Sequence, residues 1–309
     1  MYVPCRKFST PPVTPTSSLQ VSLQVTPSPS ASTPPTLERN LRKCQYMTHR
    51  QRKAFCDFQL VHPECRLHGS TVYGMSTPDS DVDLCVDEIR LDGLAEAAEF
   101  GLIPFNIVSD LLHLRIRRLV LQHNNGTEMD VVGMEHYEEE KDRALLRICQ
   151  NAVFKSFMKK LQQWWKGLPL EPKDGYPNTF NIFLMAIFFL QCFEDVPSWP
   201  TLVATELPPL QCYHTAEDIF GSFLSFLLDR SCHVKMDLHV GRWQKKKRGG
   251  SLQTWLLLDP CKENYNVFSN FQPKQVAKVL DMDVHPKLTS YPPYHLIYRK
   301  LLWNLNETI

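Results

Sequence analysis

From about residue 65 the order of apolar and polar positions changes period, and each change predicts a different element. "DVDLCV" (81–86) alternates, with Val82, Leu84 and Val86 on one face and Asp81 and Asp83 on the other, which predicts a half-buried strand. "HLRIRRLVL" (113–121) alternates as well, with Leu114 and Ile116 on one side and Arg115 and Arg117 on the other. "EMDVV" (128–132) predicts a third strand and "CRLH" (65–68) a short one. Leu91 to Phe100 predicts a short helix, and the polar stretch from Leu37 to about Phe58, free of Pro and Gly, a surface helix. After Tyr137 the period becomes helical. Ala152 to Lys166 carries Val153, Phe154, Phe157, Met158, Leu161, Trp164 and Trp165 at one-face spacing. Thr179 to Phe193 and Ala216 to Asp229 predict apolar helices, and "SLQTWLLLDP" (251–260) a late strand. The run "IFLMAIFFL" (182–190) is too short for a bilayer and reads as a buried helix, so no membrane partner is expected.

Composition adds boundaries. Residues 1–37 hold no Asp or Glu and are dense in Pro, Ser and Thr, which predicts a disordered tail. A mitochondrial transit peptide is the alternative, with only Arg6 and Lys7 to support it. The chain of 309 residues then divides into an α/β region with its leading helix over 38–145 and a mainly helical region over 146–309. A net charge of +1 commits it to no polyanion as a whole. Ten scattered cysteines without a Cys-x-x-Cys pair point to reduced thiols inside a cell. Cytoplasm is the expected compartment, with nucleus and mitochondrion as alternatives. Cys56, His62, Cys65 and His68 lie close together, but their spacing fits no zinc pattern.

The aspartates carry the chemistry. On a strand Asp81 and Asp83 share one face, about 7 Å apart. Converging carboxylates repel unless a divalent cation lies between them, and Mg²⁺ favours a few carboxylates plus substrate phosphates. A calcium loop fails, since Leu84 and Arg90 stand where such a loop needs Gly and Glu. A solvated acidic turn remains the plain alternative. Gly69-Ser70, with Gly74, adds small residues whose N–H groups can approach an anion. Phosphate donors beside a two-carboxylate metal site describe a nucleoside triphosphate site.

"GSTVYGMSTPDSDVDLCV" (69–86) resembles the signature of the DNA polymerase β-like nucleotidyltransferase superfamily, and within it the noncanonical poly(A) polymerases and terminal uridylyltransferases. The resemblance runs from about residue 65 to 275. It implies an α+β fold: a polymerase β-like nucleotidyltransferase domain, with a mixed sheet and helices, plus a mainly helical poly(A)-polymerase-associated domain, the active-site cleft lying between them. It places a third catalytic carboxylate at Asp130 in "GTEMDVV", so that Asp81, Asp83 and Asp130 would hold Mg²⁺ or Mn²⁺. "LQQWWKG" resembles the helix whose two basic residues meet the triphosphate; Lys166 matches the second and Gln162 replaces the first. In "DGYPNTFNIFLMAIFFLQ", Asn178 and Thr179 take the polar positions and Phe180 the ring that stacks on the base, with core packing as its alternative. "EDIFGSFLSFLLD" and "LLLDPCKENYNVFSN" resemble the associated segment. Asp259 matches the family Asp, and Tyr265 stands where uridylyl-specific members carry a base-reading His. Asp142 in "DRALL" replaces an Asn that reaches the ribose.

The implied reaction is extension of an RNA 3′ end from an NTP, ATP or UTP, with pyrophosphate leaving in line. Tyr265 favours ATP. Arg115, Arg117, Arg118 and the run Lys245-Lys246-Lys247-Arg248 are candidates for the RNA path; the run reads equally as a solvated loop or a nuclear localisation signal. No RNA-binding module is recognisable, which points to a partner protein for RNA choice. The rivals are a small-molecule or 2′-5′ oligoadenylate-type nucleotidyltransferase, and a non-catalytic RNA-binding scaffold, for which Gln162 and Asp142 speak.

Overall fold

The computed structural model describes residues 44–114, 116–134, 139–169, 174–192, 196–204, 208–229, 231, 234–245 and 255–280. The expected tail over 1–37, Arg115 and the run from Lys246 to Arg248 lie outside them.

Helix α1 (His49–Val61) starts where Thr48 and Gln51 cap each other, the hydroxyl of one accepting the N–H of the other and the Gln51 carbonyl returning the bond. The chain then makes strand β1 (Arg66–Leu67), a turn over Gly69–Thr71, and strand β2 (Val82–Val86). Helix α2 (Leu91–Glu99) follows, then β3 (Phe105–Asp110), β4 (Arg118–His123) and β5 (Glu128–Gly133). These strands form one sheet in the order β1-β2-β5-β4-β3, mixed because only β2 and β5 run parallel. Its apolar face, with Val82, Leu84, Leu119, Leu121, Met129 and Val131, packs under Phe55 and Phe58 of α1 and Leu91 and Leu94 of α2. Alternation therefore leaves Asp83, Asp130 and Arg118 on the opposite face.

Helices α3 (Glu139–Gln150), α4 (Ala152–Lys166), α5 (Thr179–Cys192), α6 (Trp199–Val203) and α7 (Ala216–Asp229) build a second core. Along α5 every residue from Ile182 to Gln191 is buried, and Phe189 meets Phe223 of α7 edge to face at 5.5 Å. Among the described residues, no helix is long and apolar enough to cross a membrane. The region expected to be mainly helical also holds a small sheet: β6 (Val234–Asp237) between β7 (Arg242–Lys245) and β8 (Leu256–Leu258), before α8 (Pro273–Val279).

Two expectations change. The strand expected from His113 begins only at Arg118, because Leu111 N–H reaches back to the Arg118 carbonyl and closes a loop over 111–118. Leu114 and Ile116 are consequently exposed rather than facing a core. An edge strand, β3, also precedes that loop, and the alternation had given no notice of it.

The segment 71–75 is buried and divides its side chains between the two cores. Val72 packs with the sheet, while Tyr73 and Met75 pack with the helices, Tyr73 against Phe183 at 6.4 Å.

Candidate active site

Asp81 stands one residue before β2 and Asp83 within it; parallel pairing sets Asp83 directly beside Asp130 of β5. One oxygen from each of Asp81, Asp83 and Asp130 lies within 4.8 Å of the others. Among the described residues these are the only Asp, Glu, His or Cys side chains grouped closely enough to hold a metal. Cys56, His62, Cys65 and His68 form no such group.

Electrostatics favours a positive charge among these carboxylates. The Asp83 carboxyl is pushed well above the usual carboxylate range, first by desolvation and then by Asp81, Asp130 and Asp142, against a backbone hydrogen bond from Ser70. Asp130 is pushed up by desolvation too, opposed by Arg118, whose Nε donates to Asp130 Oδ1. A divalent cation relieves this repulsion, so the donor set fits one chemically: hard oxygen ligands from few residues, leaving room for phosphate oxygens.

The Gly-Ser turn meets these groups at close range. Gly69 has φ +68°, and a Cβ on it would sit 2.2 Å from Asp83 Oδ2, so no other residue fits. The Gly69 N–H, expected to face phosphate, instead donates to Asp142, at 3.1 Å to Oδ1 and 3.3 Å to Oδ2. The Ser70 backbone serves Asp83. Asp142 lies buried in the first turn of α3, where the helix dipole favours a carboxylate.

Its neighbour Lys141 points the other way. Lys141 Nζ is 2.8 Å from Asp259 Oδ2, both side chains being buried, and lies 5.7 Å from the centre of the Phe180 ring. The second Asp259 oxygen accepts the Cys261 N–H at 2.8 Å. Phe180 is half-buried against the helical core, and Thr179 is half-buried beside it at the start of α5. Asn178 is exposed and caps α5, its Oδ1 accepting the Asn181 N–H at 2.9 Å. Lys166 ends α4 with an exposed side chain, and Gln162, one turn earlier, is buried. Tyr265 is half exposed, with Lys262 Nζ 6.0 Å from its ring centre, and its carbonyl accepts the Asp259 N–H at 2.8 Å.

Lys141 and Arg118 in these positions were not foreseen. A signal for Lys141 existed: it is in helical register with Ala144, Leu145 and Ile148, a charge on an apolar stripe. Arg118 shares the sheet face of Asp130, a diagonal cross-strand neighbour once the β4–β5 register is known.

No family model and no curated protein matches the chain. Solved structures do. The Cid1 poly(U) polymerase is similar at a TM-score of 0.66 and 15% identity, over 83% of this chain and 92% of that one. Terminal uridylyl transferase 4 from Trypanosoma brucei, with bound CTP, is similar at 0.59 and 18%, over 78% and 90%. A cytoplasmic RNA terminal U-transferase is similar at 0.64 and 16%, over 80% and 89%. At these identities the likeness establishes the fold alone: the chain has the fold of these solved structures.

Proposed function

We propose that this chain is a template-independent RNA nucleotidyltransferase that extends RNA 3′ ends with UMP from UTP, using Mg²⁺ or Mn²⁺. The convergence of Asp81, Asp83 and Asp130 on the polar face of two parallel strands carries the reading. The solved structures that resemble the chain include proteins named for U transfer, and one of them is described with a Mg 3′-dATP complex. They favour UTP over the ATP that Tyr265 suggested, because a ring that stacks and a half-exposed phenol do not by themselves choose a base.

In this reading Asp81, Asp83 and Asp130 hold the cations, which when bound supply charge neutralisation at the triphosphate and a more acidic primer hydroxyl. Asp130 stands at the primer side in this reading and helps take the 3′-hydroxyl proton. Phe180 offers a ring face to the base, Thr179 and Lys166 face the triphosphate, and Asp259 and Tyr265 border the base edge. Most of the acceleration comes from positioning and fixed charge. RNA choice rests with a partner protein.

The test is to incubate the purified chain with a labelled RNA primer, Mg²⁺ or Mn²⁺, and each NTP separately. A ladder with UTP that Asp83→Ala abolishes is expected. A ladder only with ATP would overturn the uridylyl assignment and keep the reaction class. The second reading is a scaffold that keeps the fold without the reaction; Arg118 on Asp130 and Asp142 on Gly69 favour it. Inertness with every NTP, together with retained RNA binding, would establish it.

A further inference from the structure

The Gly69–Ser70 turn lies directly against Asp83, yet its first N–H is taken by another protein carboxylate. Asp142 reaches it with both oxygens, at 3.1 and 3.3 Å, from the buried first turn of α3. An N–H that donates to an internal carboxylate is not available to a phosphate, and the carboxylate that holds it repels one. Asp142 is also close enough to Asp83 for its charge to be felt there, which places it among the groups that a triphosphate would approach.

We propose that Asp142 sets the affinity for the triphosphate: it stands on the Gly69 amide as an internal anion, and the incoming phosphates bind against its charge. The proposal rests on the reading of this site as an NTP site. The residue acts on the position and charge of the Gly-Ser turn rather than on the reacting atoms. Its first consequence is that the phosphate part of the nucleotide, not the nucleoside, feels Asp142. Its second is that removing the charge while keeping the acceptor improves binding. Asp142→Asn does this, since the side-chain carbonyl can still accept the Gly69 N–H.

The measurement is direct binding, by calorimetry in the presence of Mn²⁺, of three probes to the full chain and to Asp142→Asn: UTP, inorganic tripolyphosphate and uridine. The expected result is a gain of about tenfold for UTP and for tripolyphosphate, with uridine unchanged. Asp142→Ser, smaller and uncharged, is expected to gain in the same two probes, and serves if the Asn variant does not fold. A merely structural role would weaken all three probes together, and that result overturns the proposal. So does a loss of UTP and uridine affinity with tripolyphosphate unchanged, which would make Asp142 a reader of the ribose hydroxyls. Wild type that binds UTP without any gain in either variant sinks this inference alone. If neither wild type nor variants bind UTP or tripolyphosphate, the NTP reading falls as well.

Discussion

Asp83 sits where three other carboxylates press on it, and the consequence is a stability that depends on pH and on cations. Its proton affinity is raised in the folded protein, chiefly by desolvation and then by Asp81, Asp130 and Asp142. A raised carboxyl contributes stability that is fully present below the ordinary carboxylate range and is lost as pH rises through the raised value. Asp130 has the same sign. The cation-free protein is therefore expected to melt lower at pH 8 than at pH 5.5 on account of these groups, and added Mn²⁺ to restore the loss more at pH 8. A cation at ten times its Kd adds about 1.4 kcal/mol, roughly 2 to 3 °C for a chain of this size. Asp83→Asn should raise the melting point of the cation-free protein at pH 8 and erase the Mn²⁺ gain. Equal Mn²⁺ shifts in both proteins, followed by scanning calorimetry, would place the cation elsewhere. Asp81 and Asp83 were legible in the sequence because alternation acts locally, two residues apart; Asp130 came only from the family resemblance, and the β2–β5 pairing sets it beside Asp83.

At the scale of elements, α3 carries the most consequence per residue. Its first turn holds Asp142 on the sheet side and Lys141 on the Asp259 side, so one helical turn touches both halves of the site. Lys141 and Asp259 form a buried pair, and removing one partner strands the other's charge. Lys141→Met is expected to cost about 3–5 kcal/mol in urea unfolding, and Lys141→Met with Asp259→Leu markedly less. Additive losses in that cycle would show that the pair is not coupled. The sequence did not disclose this pair, since 118 residues separate its members and only tertiary packing brings them together. It did disclose α4 and α7 from end to end, because a helical stripe sustained over many residues has one solution. Strands were less legible. Two alternations in "LRIRR" look the same in a loop as in a strand, and the four residues of β7, Arg-Trp-Gln-Lys, are too short and too polar a run to show a period. Asn178 also caps α5 through its Oδ1, a contact that its place in "PNTF" did not disclose.

The molecule as a whole has two cores, and the segment from Thr71 to Met75 belongs to both. Val72 is fixed among sheet residues and Tyr73 and Met75 among helical ones. Neither core can loosen there without pulling a buried aromatic or aliphatic side chain out of the other, at roughly 1.5–3 kcal/mol per side chain. Unfolding in urea, followed by circular dichroism and by Trp fluorescence, is expected to give one coincident transition. Trp164, Trp165, Trp199 and Trp255 belong to the helical core, so a sheet that melted separately would show as an earlier change in the circular dichroism. The same segment has a further consequence on the timescale of hydrogen exchange. The Val72 and Met75 amides are bonded back to Gly69 and Ser70 within a stretch buried from both sides. Their protons should therefore exchange with deuterated solvent only when the entire chain opens, which makes the loop beside the aspartates one of the slowest clocks in the protein rather than one of the fastest.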